Sequence, residues 1–300
     1  MRDSSFDLDE QTLRIYYYFQ FLVVLILSTC SGQPQDDIIS TITESPPPIH
    51  APTSLDLNTY YIDDFNIAIT LIPAGEFLMG TVNGDGNTQP QHVVYLDAFY
   101  IDQTEVTNTQ YAECVQNQFC KQPIDKSSAS RLDYYSNPKF DDYPVIYVTW
   151  EMASDYCEWR NARLPTEAEW EKAARGGLIN KLYPWGDQDA DCSIANYLSK
   201  DDFCIGDTTR SASYSPNGYG LFDMAGNVWE WVADCYSRDY YINSPDTNPQ
   251  GPSCTDERVL RGGSWNDGSK FIQLAHRYSY PPDHRGFGLN FFGFRCARSY

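Results

Sequence analysis

From Gly177 to Tyr300 the chain sustains neither a helical nor a strand period: short aromatic segments alternate with Gly, Pro, Asn and Asp. Such a stretch folds into turn-rich, irregular structure. It needs a high apolar content to hold together, and hydrophobic residues make up 42% of the chain and aromatics 15%, against 21% charged. With 19 Gly and 18 Pro in 300 residues, this composition disfavours both coiled coil and disorder.

The segment before it reads differently. Asn66 to Phe77 is an apolar, β-rich run ending in the turn Pro73-Ala74-Gly75, and His92 to Ile101 is a second run rich in Val, Tyr and Phe; both predict strands. Thr107-Asn108-Thr109-Gln110 has the form of a capping box and predicts a helix to about Cys120. Another helix follows Thr149, with Trp150, Ala153, Cys157 and Asn161 spaced along one face. Thr166-Glu167-Ala168-Glu169 is a further capping box, opening a helix through Ala174 that stops at Gly176-Gly177. Three helices followed by irregular structure predict one α+β domain over residues 66–300 with few long strands. No internal repeat and no second linker divide it.

The formal net charge is −20, from 41 Asp plus Glu against 21 Lys plus Arg. That excludes a nucleic-acid phosphate backbone as partner, because such proteins cluster basic residues to displace counterions. It equally disfavours an anionic membrane surface. Residues 1–65 hold ten acidic and two basic residues, so the remaining 31 acids and 19 bases give residues 66–300 a net −12. Within 31–65 there are six acids, no Lys or Arg, and the run Ser45-Pro46-Pro47-Pro48. This composition builds no core and reads as an extended linker.

Residues 15–27, IYYYFQFLVVLIL, carry no charge and are followed by Ser28, Thr29 and Cys30. Thirteen residues match a secretory hydrophobic region and fall short of a membrane span of about 20. Residues 1–30 are therefore an export signal, with Leu27 to Cys30 resembling a lipoprotein cleavage box, or else an uncleaved anchor. Either way the domain is expected outside the cytoplasm, secreted or surface-anchored, and meets a membrane only through its N-terminus.

Several motifs then recur in order: IPAGEFLMG from Ile72 to Gly80, EVTN from Glu105 to Asn108, YPV from Tyr143 to Val145, RLPTEAEWE from Arg163 to Glu171, YPWG from Tyr183 to Gly186, YGLFDMAGNVWEW from Tyr219 to Trp231, RGGSW from Arg261 to Trp265 and GFRC from Gly293 to Cys296. Over residues 66–298 the chain resembles the formylglycine-generating enzymes and their sulfatase-modifying-factor relatives. The resemblance implies a C-type-lectin-like α+β fold of the formylglycine-generating-enzyme type, with much irregular structure.

The resemblance also implies an activity, oxidation of a cysteine in a Cys-x-Pro-x-Arg segment to formylglycine, with copper held by two cysteines five positions apart just after the Gly-Gly-Ser-aromatic motif. Here Asp267 and Ile272 occupy those positions, and no cysteine stands between Cys254 and Cys296. Cu(I) selects soft thiolates, which a carboxylate and an isoleucine do not replace. Copper is therefore not expected. Another branch holds non-haem iron through a His-rich motif in an additional domain. This chain has four His in all, His50, His92, His276 and His284, with no such motif.

Calcium fits an acidic, turn-rich segment, since it takes six to eight hard oxygens, many of them loop carbonyls. By resemblance one structural calcium site maps onto the Asp223 side chain, the Gly226 and Val228 carbonyls and the Glu230 side chain. A second maps onto Asn196, the Tyr197 carbonyl and an acid further on, Asp207 or Asp202. Cys157 and Cys296 align with a family disulfide that closes 139 positions, worth about 4–5 kcal/mol in the chain-entropy account. The simplest sequential pairs are then Cys114 with Cys120, Cys192 with Cys204, and Cys235 with Cys254. Zinc is disfavoured, for no Cys-x-x-Cys occurs. Trp265-Asn266-Asp267 matches a sugar-binding tripeptide of C-type lectins, but its partner Glu-Pro-Asn or Gln-Pro-Asp element is missing.

The reading that follows is an exported, calcium-stabilised domain without the copper chemistry, binding a peptide, protein or glycan in its groove or serving as a divergent enzyme. The alternative is an oxidase acting on a cysteine or sulfur substrate, by formylglycine generation or with non-haem iron. Asp267, His276 and Arg277 are the groove candidates, with Asp267 expected to pair with Arg277.

Overall fold

Each expected helix begins at a threonine whose hydroxyl accepts from the backbone three residues on. In the computed structural model, which describes residues 60–200, 202–254, 256–283 and 289–300, all within the compact unit Ile49–Tyr300, these are Thr107, Thr149 and Thr166. At Thr107 and Thr166 the box is reciprocal, with Gln110 and Glu169 accepting from the cap amide at 2.9 and 2.8 Å. The expected signal, the linker up to residue 59, Cys30, His50 and His284 lie outside the described residues.

In chain order the elements are β1 (Tyr60–Ile62), β2 (Ala68–Ile72), β3 (Gly75–Met79), β4 (His92–Leu96), β5 (Phe99–Asp102), α1 (Asn108–Gln116), α2 (Trp150–Trp159), α3 (Glu167–Arg175), β6 (Trp229–Cys235), β7 (Arg258–Arg261), β8 (Tyr278–Tyr280), β9 (Phe292–Phe294) and β10 (Ala297–Ser299). Both expected long strands are broken. The first splits into β2 and β3 at Pro73-Ala74, and the second into β4 and β5 at Asp97-Ala98. α1 ends at Gln116 rather than Cys120, and Asn161 lies beyond α2 in a left-handed conformation, φ 53°. α3 stops at Gly176 as expected, with φ 55° at its cap.

The strands form three sheets, β1-β2-β5-β10, β3-β4 and β8-β7-β6-β9. The pairing is antiparallel except for β6 with β9, which sets Glu230 opposite Gly293. β1 shows that the ordered unit reaches beyond residue 66 toward the N-terminus. The cause is Asp63, whose side chain accepts from the Phe65 and Ile67 amides and pairs with Arg160 at 2.6 Å and Arg298 at 2.8 Å. An acid counted in the linker is thus part of the fold.

α2 and α3 both pack against β6, and α3 also meets β3, β4 and β7. Trp170, Trp229 and Trp231 are among the largest buried side chains, together with Arg160, Arg261 and Arg295. Buried guanidinium groups persist only when paired. Arg261 donates to Glu167 and Glu171 at 3.0 and 2.7 Å, Arg277 to Glu167 at 2.6 Å, and Arg175 to Glu171 at 2.6 Å. Two of the three acids of the RLPTEAEWE motif, Glu167 and Glu171, therefore tie α3 to β7 and to the segment after it.

All four expected disulfides are present: Cys114–Cys120, Cys157–Cys296, Cys192–Cys204 and Cys235–Cys254. The second joins α2 to the C-terminal strand region across 139 positions. Replacing both Cys157 and Cys296 by Ala is expected to lower unfolding free energy by about 5 kcal/mol, read from urea midpoints without reductant. A loss no larger than that for Cys114 with Cys120, which closes only 6 positions, would contradict the chain-entropy account.

Asp234 on β6 is buried and accepts from the Glu167 amide at 2.7 Å, where α3 begins. Burial, reinforced by the Glu167 charge, pushes its carboxyl up to about 8. Between about pH 4, the ordinary range of an aspartate, and pH 8, the native state keeps a proton that the unfolded chain has released. This group's contribution to stability is therefore complete below pH 4 and falls as pH rises to 8. Asp234→Asn keeps the acceptor and removes the titration. The stability of the variant relative to the parent should rise steadily from pH 5 to 8 in parallel urea melts.

Candidate functional site

β7 is followed by Gly262 and Gly263, both at positive φ, 93° and 74°. A Cβ on Gly263 would press on Ile272 and on the Phe271 carbonyl, so glycine lets the following loop fold back on itself. The loop places Ser264, Asp267 and His276 beside Trp229 at the head of β6. Trp229 Nε1 donates to Asp267 Oδ2 at 2.8 Å, and the Ser264 hydroxyl donates to the same oxygen. The Asp267 carbonyl accepts from Leu198 at 2.9 Å, and Trp265 donates to the Asn227 carbonyl. Burial raises the Asp267 carboxyl above its ordinary range, against the opposing pull of the Ser264 and Trp229 hydrogen bonds.

The expected pairing of Asp267 with Arg277 does not form. Arg277 turns inward, donates to both Glu167 oxygens at 2.6 and 2.8 Å, and lies 4.3 Å over the Tyr241 ring. A buried carboxylate that offers two oxygens in one plane outcompetes one already held by neutral donors. Of the three groove candidates, Asp267 and His276 come together around Trp229 and Arg277 does not. His276 lies 5.9 Å from the Trp229 ring and 5.0 Å from Phe271. Burial lowers its imidazole to about 4, and the Arg261 charge adds to the effect, so it is neutral at pH 7.

Two hollows flank the loop. One of 520 Å³ is lined by Tyr183, Asp191, Tyr197, Gly268 and Ser269, and one of 330 Å³ by Asp85, Thr88, Lys270, Gln273 and His276. Ile272, the second copper position of the resemblance, is fully buried. Its hydrocarbon and the hydrogen-bonded oxygen of Asp267 form no donor set for Cu(I).

The calcium candidates gather behind this loop. Asp223, Gly226 and Asn227 all have positive φ, 56°, 84° and 61°, giving a tight turn before β6. Asp223 Oδ2 accepts from Ala212 at 2.6 Å, while its buried Oδ1 has no hydrogen-bond partner. Burial pushes this carboxyl up to about 6. Asn196 Oδ1 is likewise buried without a partner, and its Nδ2 donates to the Asp207 carbonyl at 2.8 Å. These orphaned oxygens are the kind a hard cation satisfies. The other expected side-chain ligands and the Tyr197 carbonyl are already engaged. Glu230 accepts from Arg295 and from Trp170 Nε1, the Tyr197 carbonyl accepts from Cys204, and Asp207 accepts from Ser128, Ser130 and Thr208. Asp207 rather than Asp202 lies beside Asn196. Among the described residues, no group of three or more His, Cys, Asp or Glu side chains converges to hold a metal ion.

Glu105 is the residue that sequence reasoning missed. It is fully buried, accepts from Asn227 Nδ2 at 2.9 Å through one oxygen, and leaves Oε2 without a partner. Burial, with the Asp223 charge next, raises its carboxyl well above the ordinary range. The only signal was its place in the EVTN motif, immediately before a helix cap, where an acid reads as a dipole partner.

Residues 65–300 match the family model described as the sulfatase-modifying factor enzyme 1-like domain. Among curated proteins, the chain is 41% identical over 244 residues to the serine/threonine-protein kinase pkn1 of Chlamydia pneumoniae, covering 77% of this chain and 38% of that one. It is 34% identical over 281 residues to the formylglycine-generating enzyme of Streptomyces coelicolor, covering 75% of this chain and 87% of the enzyme. The chain thus spans less than two fifths of the chlamydial relative and most of the streptomycete one. Among solved structures, PvdO from Pseudomonas aeruginosa matches with a TM-score of 0.67 at 26% identity, covering 81% of this chain and 98% of that one. These matches agree with the expected α+β fold of the formylglycine-generating type.

At Gly226 a Cβ would strike the Asn196 carbonyl while the backbone sits at φ 84°. Gly226→Ala is therefore expected to cost about 3 kcal/mol, whereas Gly268→Ala, where nothing lies within 4 Å, should change stability by less than about 0.5 kcal/mol. Thermal melts of the two variants side by side check the difference.

Proposed function

Because the chain belongs to the sulfatase-modifying factor enzyme 1-like domain family, we propose that it is an exported, calcium-stabilised binding domain of that family, working without copper oxidase chemistry. One observation carries the proposal: at the two positions where the family's oxidase needs thiolates, this chain has a hydrogen-bonded carboxylate, Asp267, and a fully buried Ile272. Export is supported by the four disulfides, which persist in oxidising compartments, and by the hydrophobic run before Cys30.

In this reading the partner is a peptide, protein or glycan that docks over the Asp267 loop and its two hollows. Calcium is proposed at Asp223, with the Gly226 and Val228 carbonyls, and at Asn196. The observation behind both is the orphaned buried oxygen that each side chain presents. Glu230, held by Arg295, would contribute to the first site by bracing the turn. The kinase named in the chlamydial relative belongs to a protein of which this chain covers 38%, and phosphoryl transfer is no part of the proposal.

The test is metal analysis of the purified full chain together with mass spectrometry of a Cys-x-Pro-x-Arg peptide incubated with it in air. Calcium without copper, an unchanged peptide and a lower melting temperature in chelator are expected. Stoichiometric copper, with a peptide that has exchanged sulfur and two hydrogens for one oxygen, would overturn the proposal in favour of a formylglycine-generating oxidase.

A further inference from the structure

Asp267 is held in place by neutral donors. Trp229 Nε1 and the Ser264 hydroxyl both donate to Oδ2, which occupies that oxygen's two acceptor positions. Among the described residues no donor is within hydrogen-bond distance of Oδ1, while the Ser264 backbone amide adds a lesser pull on the carboxyl, and no Lys, Arg or His lies within ion-pair distance. The basic side chains nearest in sequence are committed elsewhere, Lys270 to Asp85 at 2.9 Å and Arg277 to Glu167 at 2.6 Å. His276 is neutral, because burial lowers its imidazole to about 4.

Three half-open rings flank the loop that carries this carboxylate. Tyr278 is 40% exposed, Phe271 40% and Phe203 41%. Tyr278 stacks 5.2 Å from Trp229, whose indole holds the carboxylate. Phe203 packs 5.9 Å from Trp265, two residues before Asp267, and Phe271 lies against His276. The Tyr278 phenol is raised first by burial and then by the charges of Tyr280 and Asp267. A partly desolvated carboxylate beside aromatic faces is complementary to an organic cation, and the domain carries a net −12 that draws cations toward it.

The geometry also chooses between cations. A guanidinium engages a carboxylate as a fork across both oxygens, but Oδ2 is already filled by two donors. A compact ammonium needs only Oδ1, and a hydrocarbon stem suits the apolar rings. We infer that Asp267, with the rings of Tyr278, Phe271 and Phe203, forms a recognition site for an alkyl ammonium group, the head group of a lysine side chain or of a free primary amine. This rests on the binding-domain reading above and names the ligand class of that same groove.

Calorimetric titration of the full chain with Nα-acetyl-lysine methylamide, its norleucine and arginine counterparts, and pentylamine tests the site. The lysine derivative is expected to bind at least about tenfold more tightly than norleucine, the factor that one charge-assisted hydrogen bond supplies, and more tightly than arginine. Asp267→Asn, which keeps an acceptor for Trp229 and Ser264, should weaken lysine binding by about tenfold or more, and Tyr278→Leu should weaken it by several-fold. Lysine bound more tightly than pentylamine identifies a protein side chain as the source; equal affinities identify a free amine. Norleucine binding as well as lysine, lysine binding unaffected by Asp267→Asn, or no heat with either amine at several millimolar would overturn the inference. The peptide oxidation assay separates this failure from that of the parent reading. An unoxidised peptide with no amine binding sinks only the ammonium site, whereas an oxidised peptide sinks the binding-domain reading itself.

Discussion

The pairing of Glu230 with Arg295 is the interaction on which the rest of the molecule depends. Arg295 donates to both Glu230 oxygens at 2.7 Å and to the carbonyls of Asp102, Gln103 and Phe222, while Trp170 Nε1 donates to Glu230 at 2.8 Å. One buried ion pair therefore joins β6, the C-terminal segment, the end of β5, α3 and the turn that holds Asp223. Short strands and loops cannot supply this connectivity through backbone ladders. A fold with few long elements must use side chains to tie distant segments together, and fully satisfied polar networks do this with a fixed geometry.

Such networks are costly to desolvate, and the cost is visible in the acids beside them. Glu105, Asp223 and Asp234 are buried with less compensation than Glu167, Glu171 and Glu230, and their carboxyls are raised accordingly. Replacing paired ions by apolar groups is often neutral for stability, so the presence of these charges is better explained by what they position. Glu230, through Arg295, braces the turn that holds the buried Asp223 Oδ1, and Glu167 removes Arg277 from the groove. The surface that Asp267 presents is thus set by charges two layers beneath it.

Much of this was legible in the sequence. Capping boxes located two of the three helices because a threonine and an acid or amide three residues apart satisfy the same orphan amides wherever they occur, and the spacing of one face after Thr149 located the other. The Cys157–Cys296 pairing and the motif order located the fold. What the sequence could not carry was the partner of each buried charge. Arg277 is one residue from His276 and ten from Asp267, yet it pairs with Glu167, 110 positions away. Asp63 sits in a stretch whose composition reads as linker and is instead clamped by Arg160 and Arg298. Glu105 has no local signature of burial at all. Each depends on contacts between segments remote in the chain, which periodicity and composition do not encode.

The exchange of the two thiolate positions acquires its meaning from this frame. Ile272 needed only to fill space beneath Gly263, where it is fully buried. Asp267 required more, since a partly buried carboxylate beside Trp229 would be uncompensated without donors. The Ser264 hydroxyl and the Trp229 indole supply them, and both belong to motifs that the whole family resemblance rests on, RGGSW and the NVWEW end of the β6 motif. Both donors to Asp267 thus come from motifs of the family resemblance, so the carboxylate is held without further supporting residues.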